Sequence, residues 1–173
     1  NGNIIAKNNV NNLDLTNFSK LNHVQQALKG NLSLCTEVIS GKNLCICSGT
    51  PIMDGNKIVG VASTVISLQN NTFLDKLKKL TGCEFSVFLG DERISTTIMK
   101  DGKRVTGTKL SSDIAQQVIT KKQTHIGKTN ILGINHMANY QPILDTNQNV
   151  IGILFAGKNI ADTEKSTNNV LFF

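Results

Sequence analysis

Apolar and polar residues recur with two different periods along the chain, and together these periods predict a mixed α+β fold. Apolar residues between positions 73 and 80 recur at helical spacing among lysines, and Gly82 follows them. This pattern predicts an amphipathic helix that ends at the glycine. Residues 84–89 then alternate between apolar and polar, which is typical of a strand with one buried face.

After residue 89, the apolar and polar pattern predicts four more strands and one further helix. It predicts a β-branched strand over Arg93–Met99, a turn at Asp101-Gly102 and a helix capped by Ser111 or Ser112. Three more strands follow at 124–131, 134–144 and 150–157. Two strands, a helix and a three-stranded meander indicate a five-stranded antiparallel sheet with flanking helices.

Two parts of the chain resemble each other at an offset of 91 residues. Val24–Lys29 is similar to Ala115–Thr120, and Pro51–Asp54 is similar to Pro142–Asp145. Two copies this far apart are domain-sized units rather than the turns of a short-period solenoid. Convergence of similar hairpins is the alternative explanation.

The offset also predicts the elements of the first copy. We expect a strand at Ile4-Ile5, a helix over 20–29 and strands over 32–39, 43–53 and 58–66. The leading helix and first strand of this copy would precede Asn1. The first module is therefore expected to be incomplete at its N-terminus.

Charge and composition narrow the classes of partner. The net charge is +6, with five basic and four acidic residues in positions 1–75 against thirteen and eight in 76–173. This excess fits a small anionic ligand or a nearby anionic membrane. The absence of long basic blocks and of Trp, with Tyr140 as the only tyrosine, argues against nucleic-acid binding. No apolar run reaches the length of a membrane span.

The four cysteines leave two interpretations open. Cys35, Cys45, Cys47 and Cys83 form no CxxC motif, and the histidines lack zinc-finger spacing, so no metal site is predicted. They are interpreted either as small buried hydrophobic residues or, if the chain lies outside the cell, as a source of a disulfide. The disulfide would join Cys35 to Cys45 or to Cys47.

Motifs for catalysis are missing from the sequence. There is no GxSxG motif, no phosphate-binding loop and no His–carboxylate pair tied by spacing to a nucleophile. Asp54 and Asp145 follow the same Pro-Ile pattern in both copies, which indicates turn formers rather than a catalytic pair. We therefore expect a protein that is not an enzyme and uses no cofactor.

Several motifs of the second copy carry a resemblance to a known family. They are Phe88–Thr97, Gly107-Thr108, Tyr140–Ile143 and Ile151–Gly157. These stretches resemble the extracytoplasmic Cache sensory domains of bacterial methyl-accepting chemotaxis receptors. The pattern of Ala27-Leu28, Pro51-Ile52 and Gly60 is similar to the membrane-distal partner in a double-Cache region.

The resemblance implies two PAS-like Cache modules in tandem. Residues 1–69 would form the incomplete membrane-distal module, 70–160 the membrane-proximal module and 161–173 a helix leading to the membrane. The helix Ile160–Asn169 would carry the signal, and the tail Val170–Phe173 fits the approach to a membrane span.

The resemblance also implies a setting for the chain. The fragment would lie outside the cell or in the periplasm, between transmembrane helices of a homodimeric receptor in the cell membrane. It would bind a small molecule and pass the signal inwards. Two rivals remain open: the same sensor attached to a histidine kinase or a cyclic-dinucleotide enzyme, and a ligand-free PAS-like or profilin-like interaction module.

The strand predicted over Arg93–Met99 supplies four of the candidate ligand-binding residues. Strand alternation places Arg93, Ser95 and Thr97 on one face and Thr96 on the other. A guanidinium is a planar fork of donors that suits a carboxylate, and neighbouring hydroxyl groups would complete the site. The alternative is a surface ion pair between Arg93 and Asp91 or Glu92.

The following hairpin and turn add four more candidates. Tyr140, Asn139 and Met137 are expected to line the pocket, and Lys109 to supply a second positive charge. The corresponding row of the first copy is mostly apolar and has no arginine. The second copy is therefore favoured as the site for an organic anion or an amino acid.

Overall fold

The structure is a computed structural model that describes residues 3–6, 8 and 18–161. Its helices are α1 (Asn22–Leu28), α2 (Asn71–Thr81) and α3 (Ser112–Ala115), and α3 continues as a π-helical turn over Gln116–Thr120. Its strands are β1 (Ser33–Ile39), β2 (Asn43–Asp54), β3 (Lys57–Ser67), β4 (Glu84–Leu89), β5 (Glu92–Thr96), β6 (Met99–Lys100), β7 (Lys103–Arg104), β8 (His125–Ile131), β9 (Ile134–Leu144) and β10 (Val150–Asn159).

The chain divides into two compact units. The first unit comprises Asn1–Leu68 and Leu144–Asn149, and the second comprises Gln69–Ile143 and Val150–Phe173. Within the first unit, β1, β2 and β3 form an antiparallel meander in that order. Helix α1 packs on this sheet and buries His23, Val24 and Ala27.

The second unit contains the predicted five-stranded antiparallel sheet, in the order β5-β4-β10-β9-β8. This confirms the expected α+β class and PAS-like plan. Helix α2 begins where the Asn70 side chain accepts a hydrogen bond from the Phe73 amide, and it ends at Gly82 with φ of 66°. The glycine permits this left-handed conformation, so the predicted helix end is confirmed.

The two faces of the five-stranded sheet are covered by different elements. On one face, Phe88, Ile153 and Phe155 pack with Ile114 and Val118 from α3 and its π-helical extension. On the other face, Ser95 of β5 donates a hydrogen bond of 2.6 Å to the Asn71 side chain of α2. The segment from Thr97 to Thr124 therefore crosses the face that holds the main apolar core of this unit.

Two strands predicted from the sequence are not observed as predicted, and the predicted C-terminal elements lie almost entirely outside the residues that the structure describes. The strand predicted over 93–99 is broken, because β5 ends at Thr96 and Met99 begins the separate hairpin β6-β7. Ile4 and Ile5 lie in no strand. The helix predicted over Ile160–Asn169 and the tail Val170–Phe173 lie, apart from Ile160 and Ala161, outside the described residues.

The order of elements follows the 91-residue offset. Helix α1 and strands β1 to β3 correspond in sequence to α3 with its extension and strands β8 to β10. Both sets place the three strands side by side in chain order. The division of the chain into tandem modules at 1–69, 70–160 and 161–173 stays a prediction.

The contact of α1 with β2 yields a test of the first unit. A Cβ atom added at Gly49 would lie 2.3 Å from the carbonyl oxygen of His23, whereas one added at Gly60 of β3 would meet only the Ile52 side chain at 3.6 Å. Gly49→Ala is expected to lower the free energy of unfolding by about 1–3 kcal/mol, because the backbone must move to relieve the overlap.

Gly60→Ala is the matched control, and it should leave stability unchanged or slightly higher, since alanine costs less chain entropy than glycine in a strand. Urea unfolding of both variants measures the difference. Equal stability of the two variants would contradict the close packing of α1 against Gly49 of β2.

Candidate ligand-binding site

A β-bulge turns Arg93 towards the core of the second unit. Val87 pairs with Ser95 and Phe88 pairs with Arg93, which leaves Ile94 without a partner on β4. Cross-strand partners project to the same face, so Arg93 shares the face of Phe88 while Ser95 shares that of Val87. The prediction that Arg93 and Ser95 lie on one face is therefore wrong, because simple alternation does not hold across a bulge.

The backbone of Arg93 is paired with the segment that crosses the sheet. Its amide donates to the Thr108 carbonyl at 2.8 Å, and its carbonyl accepts from the Gly107 amide at 2.8 Å. Gly107 has φ of 74°, a left-handed conformation that glycine adopts without a steric penalty. This turn holds Thr108 beside the Arg93 side chain.

The guanidinium group of Arg93 is enclosed by neutral groups. The side chain is only 8% exposed. Its Nη1 donates to Thr108 Oγ1 at 3.0 Å and to the Val105 carbonyl at 3.4 Å, and its Cζ lies 5.0 Å from the centre of the Phe88 ring. The ring face attracts the cation, but it does not neutralise its charge.

No carboxylate of the described residues forms an ion pair with Arg93. Its Nε is buried and has no hydrogen-bond partner. Burial lowers the pKa of Arg93 from its usual value, although an arginine stays charged in proteins. The alternative interpretation, a surface ion pair with Asp91 or Glu92, is not observed. The site therefore holds a positive charge and a free donor without a protein counter-charge.

Tyr140 is the centre of a cluster of aromatic rings close to this cation. The tyrosine is 2% exposed, and the centres of its ring and that of Phe155 are 4.9 Å apart. The ring centres of Phe88 and His125 lie 6.4 Å and 5.9 Å from the centre of the Tyr140 ring. Burial raises the pKa of the Tyr140 hydroxyl, while the Arg93 charge partly opposes that shift. The hydroxyl is therefore neutral near physiological pH.

The three hydroxyl groups predicted beside Arg93 are engaged with other protein groups. Ser95 bonds to Asn71 of α2, and Thr96 Oγ1 lies 2.7 Å from Ser86 Oγ. Thr97 donates to Glu84 and accepts from the Phe85 amide. Of the three, the register places only Thr96 on the face of Arg93. These groups stabilise the strand ends, and none of them bonds to the guanidinium.

Met137, Asn139 and Lys109 are not brought together with Arg93 and Tyr140. Met137 and Asn139 are exposed and alternate along β9 with the buried Tyr140, so they project from the opposite face. Their predicted place in one pocket with Tyr140 is therefore wrong. Lys109 is exposed and pairs with Asp91 at 3.1 Å.

A groove of about 460 Å³ lies elsewhere on the second unit. Its lining includes Lys78, Glu84, Ile98, Lys100, Ile131 and His136. None of the eight predicted ligand-binding residues lines it. Lys78 is paired with Glu84 at 2.6 Å, so Lys100 supplies the exposed positive charge there. The groove is an alternative place for a small ligand, against which the Arg93 site must be tested.

The structure adds Phe88 and Thr108 to the candidate site. Phe88 lies under the guanidinium, and Thr108 both accepts a hydrogen bond from it and is exposed to solvent. Thr108 therefore marks the side of the Arg93 site that faces solvent. The Gly107-Thr108 dipeptide was visible in the sequence, but only the folded segment shows that it contacts Arg93.

Comparison with protein families identifies the class of domain. Residues 64–170, which are well over half of the chain, match the family described as single Cache domain 3. The chain therefore belongs to the Cache family of sensory ligand-binding domains. A comparison with curated proteins finds no match.

Solved structures of sensory domains show remote likeness. The periplasmic domain of Vibrio cholerae LuxQ is 13% identical, with a TM-score of 0.41 over 78% of this chain and 56% of that one. The ligand-binding domain of Pseudomonas fluorescens chemoreceptor CtaA, solved with L-isoleucine, is 13% identical, with a TM-score of 0.39 over 89% and 63%. That of Pseudomonas aeruginosa chemoreceptor PctB, solved with L-Arg, is 16% identical, with a TM-score of 0.39 over 87% and 64%.

This chain thus spans between about half and two thirds of the length of those domains. Likeness at these scores carries no functional argument, and the family assignment rests on the Cache match. Within the described part of the chain, none of the helices combines the length and the apolar character needed to cross a bilayer.

The unpaired charge of Arg93 yields a stability test of the site. Arg93→Met keeps most of the side-chain volume and removes the buried charge, so the ligand-free protein should be equally stable or more stable by about 1 kcal/mol. Arg104→Met is the control, because Arg104 pairs with Asp75 at 2.6 Å and donates to the Thr96 carbonyl.

The control is expected to lose about 1 kcal/mol with those contacts. Denaturant unfolding of both variants without ligand compares them. A larger loss for Arg93→Met than for Arg104→Met would mean that Arg93 serves to hold the fold rather than to bind a ligand.

Proposed function

We propose that this chain is the extracytoplasmic ligand-binding region of a membrane receptor, and that its second unit binds a small carboxylate through Arg93. One observation carries the proposal: a buried guanidinium that has a free Nε donor and no counter-charge among the described residues. Membership of the Cache family supports a sensory role for such a site.

The physical argument starts from the free energy of burying a charge. An arginine removed from water without a partner destabilises the fold, so it persists where a ligand supplies the missing charge. A carboxylate bound to Nε and an Nη would form the bidentate pair that this group favours. Thr108 Oγ1, already in contact with Nη1, adds a hydroxyl at the same place.

The surroundings favour an organic carboxylate over an inorganic anion. Phe88 and Tyr140 present aromatic surface beside the cation, and apolar side chains of α3 and its π-helical extension cover the same face of the sheet. A ligand with a carboxylate and an apolar body would satisfy both surfaces. We therefore propose an amino acid or a short organic acid as the ligand.

Signalling requires that the ligand binds one conformation more tightly than another. The segment over 105–110 is the part that a ligand at Arg93 would bias, because it is hydrogen-bonded to Arg93 of β5 and to Asp91 just before that strand. We propose that this bias passes to flanking transmembrane helices in a homodimeric receptor. A chemotaxis receptor is the leading form of the intact protein, and a sensor histidine kinase or cyclic-dinucleotide enzyme is the alternative. The sequence beyond residue 173 in the intact protein would distinguish them.

A ligand screen tests the binding function. Thermal shift with L-amino acids and short-chain organic acids should identify a carboxylate that raises the melting temperature, and calorimetry would then give its affinity. Arg93→Ala should weaken that affinity by about 30-fold or more, since a charge-assisted hydrogen bond contributes about 2 kcal/mol.

Lys100→Ala is the matched control, because it removes one positive charge from the groove and leaves Arg93 in place. This variant should bind as the unchanged protein does. Loss of binding in Lys100→Ala with normal binding in Arg93→Ala would move the site to the groove and contradict the proposal.

A further inference from the structure

Three side chains of different chemistry meet between α1 and β1 in the first unit. His23 projects from α1, while Cys35 and Glu37 occupy alternate positions on one face of β1. One imidazole nitrogen, the thiol sulfur and one carboxylate oxygen of this trio all lie within 4.8 Å of one another. His23 is fully buried, whereas the other two residues are half-buried, so the cluster is open to solvent from one side.

The contacts converge on a single carboxylate oxygen. Glu37 Oε1 lies 2.7 Å from His23 Nδ1 and 3.1 Å from Cys35 Sγ, and it also accepts from the His23 amide at 3.0 Å. Glu37 Oε2 accepts from the Asn22 amide at 2.7 Å and so caps the start of α1. This capping bond holds the carboxylate in place independently of the imidazole and the thiol.

We propose that His23 Nδ1, Cys35 Sγ and Glu37 Oε1 form a binding site for a divalent metal ion of borderline softness, with Zn²⁺ as the favoured ion. The three donor types are the ones that zinc takes in proteins, and zinc bond lengths place ligand atoms about 3.3 Å apart. Glu37 Oε1 lies 2.7 Å from His23 Nδ1 and 3.1 Å from Cys35 Sγ, and all three donor atoms lie within 4.8 Å of one another, so small side-chain shifts would admit the ion. The sequence predicted no metal site, because the three ligands belong to no contiguous motif.

The charges of the ligands suit the ion. A thiolate, a carboxylate and a neutral imidazole together carry two negative charges, so a divalent ion makes the half-buried site neutral. The thiol gives up its proton when the metal binds, since the thiolate is the ligand. A thiolate favours Zn²⁺ over Mg²⁺ and Ca²⁺, which prefer oxygen ligands.

A second contact fixes the imidazole in the orientation that the site requires. His23 Nε2 lies 2.7 Å from Ser63 Oγ on β3. When Nδ1 binds the metal, Nε2 carries the proton and donates a hydrogen bond to the serine hydroxyl. Outer contacts of this kind orient metal-ligating histidines, and their loss typically weakens metal binding 10–100-fold.

A disulfide is the rival chemistry for the same cysteine. Cys35 pairs with Cys47 across β1 and β2, and both thiols are free in the structure. Oxidation of that pair would remove Cys35 as a ligand. Metal binding and a Cys35–Cys47 bond are therefore mutually exclusive, and one experiment distinguishes them.

Cobalt(II) substitution tests the proposal on the complete chain. We expect protein purified with a mild reductant to bind one Co²⁺ at this cluster, with the charge-transfer band of a cobalt–thiolate bond, and Zn²⁺ to displace it. Cys35→Ser should abolish the band, and Ser63→Ala should weaken Co²⁺ binding 10–100-fold.

Cys83→Ser is the matched control, because this thiol lies after α2 in the second unit and bonds only to Thr81 among the described residues. It should keep the band and the affinity. Far-ultraviolet circular dichroism and urea unfolding of Cys35→Ser check that the variant is folded.

Three results would overturn the proposal. They are no cobalt–thiolate band in the folded, reduced protein, a band that survives Cys35→Ser, and a Cys35–Cys47 disulfide that persists under the mild reductant. The carboxylate screen on Arg93 is independent of all three, so failure of one proposal leaves the other to be judged separately.

Discussion

The burial of one uncompensated positive charge is the constraint around which the second unit is organised. Arg93 is the inward partner of Phe88 because the bulge at Ile94 shifts the register of β5. The turn at Gly107 then places a hydroxyl and a carbonyl, but no carboxylate, next to the guanidinium. A protein that only needed a stable core would gain by filling this position with an apolar side chain. We propose that this charge is one half of an ion pair whose other half is a bound ligand.

The two copies of the repeat use the same plan with different chemistry. The 91-residue offset aligns Gly49 with Tyr140, and His23 with Ile114. In the first unit the glycine lets α1 approach β2 closely, and a histidine enters the interface between helix and sheet. In the second unit a tyrosine and an isoleucine fill that interface and form part of the face that Arg93 joins. The same order of elements thus surrounds the proposed metal ligands in the first unit and the proposed anion-binding cation in the second.

Local patterns in the sequence predicted most elements of the fold, while non-local backbone pairing decided the site. The helix end at Gly82 and the strand Glu84–Leu89 follow from turn chemistry and alternation, which act over a few residues. The inward orientation of Arg93 depends on the bulge at Ile94, and its neighbours depend on the backbone pairing of Arg93 with Gly107 and Thr108; sequence periodicity indicates neither. For the same reason counting alternate residues placed Ser95 beside Arg93, because the bulge changes the face at that point.

Nitrogen-15 NMR of the arginine Nε–H groups would test the central claim most directly. In the free protein the Arg93 Nε has no hydrogen-bond partner, whereas Arg104 already pairs with Asp75 through Nη1 and Nη2, so the Arg104 signal serves as the internal reference. Titration with the carboxylate that binds should move the Arg93 signal to the position of a charge-assisted hydrogen bond and leave the Arg104 signal unchanged. Saturating ligand binding with no movement of the Arg93 signal would contradict the account.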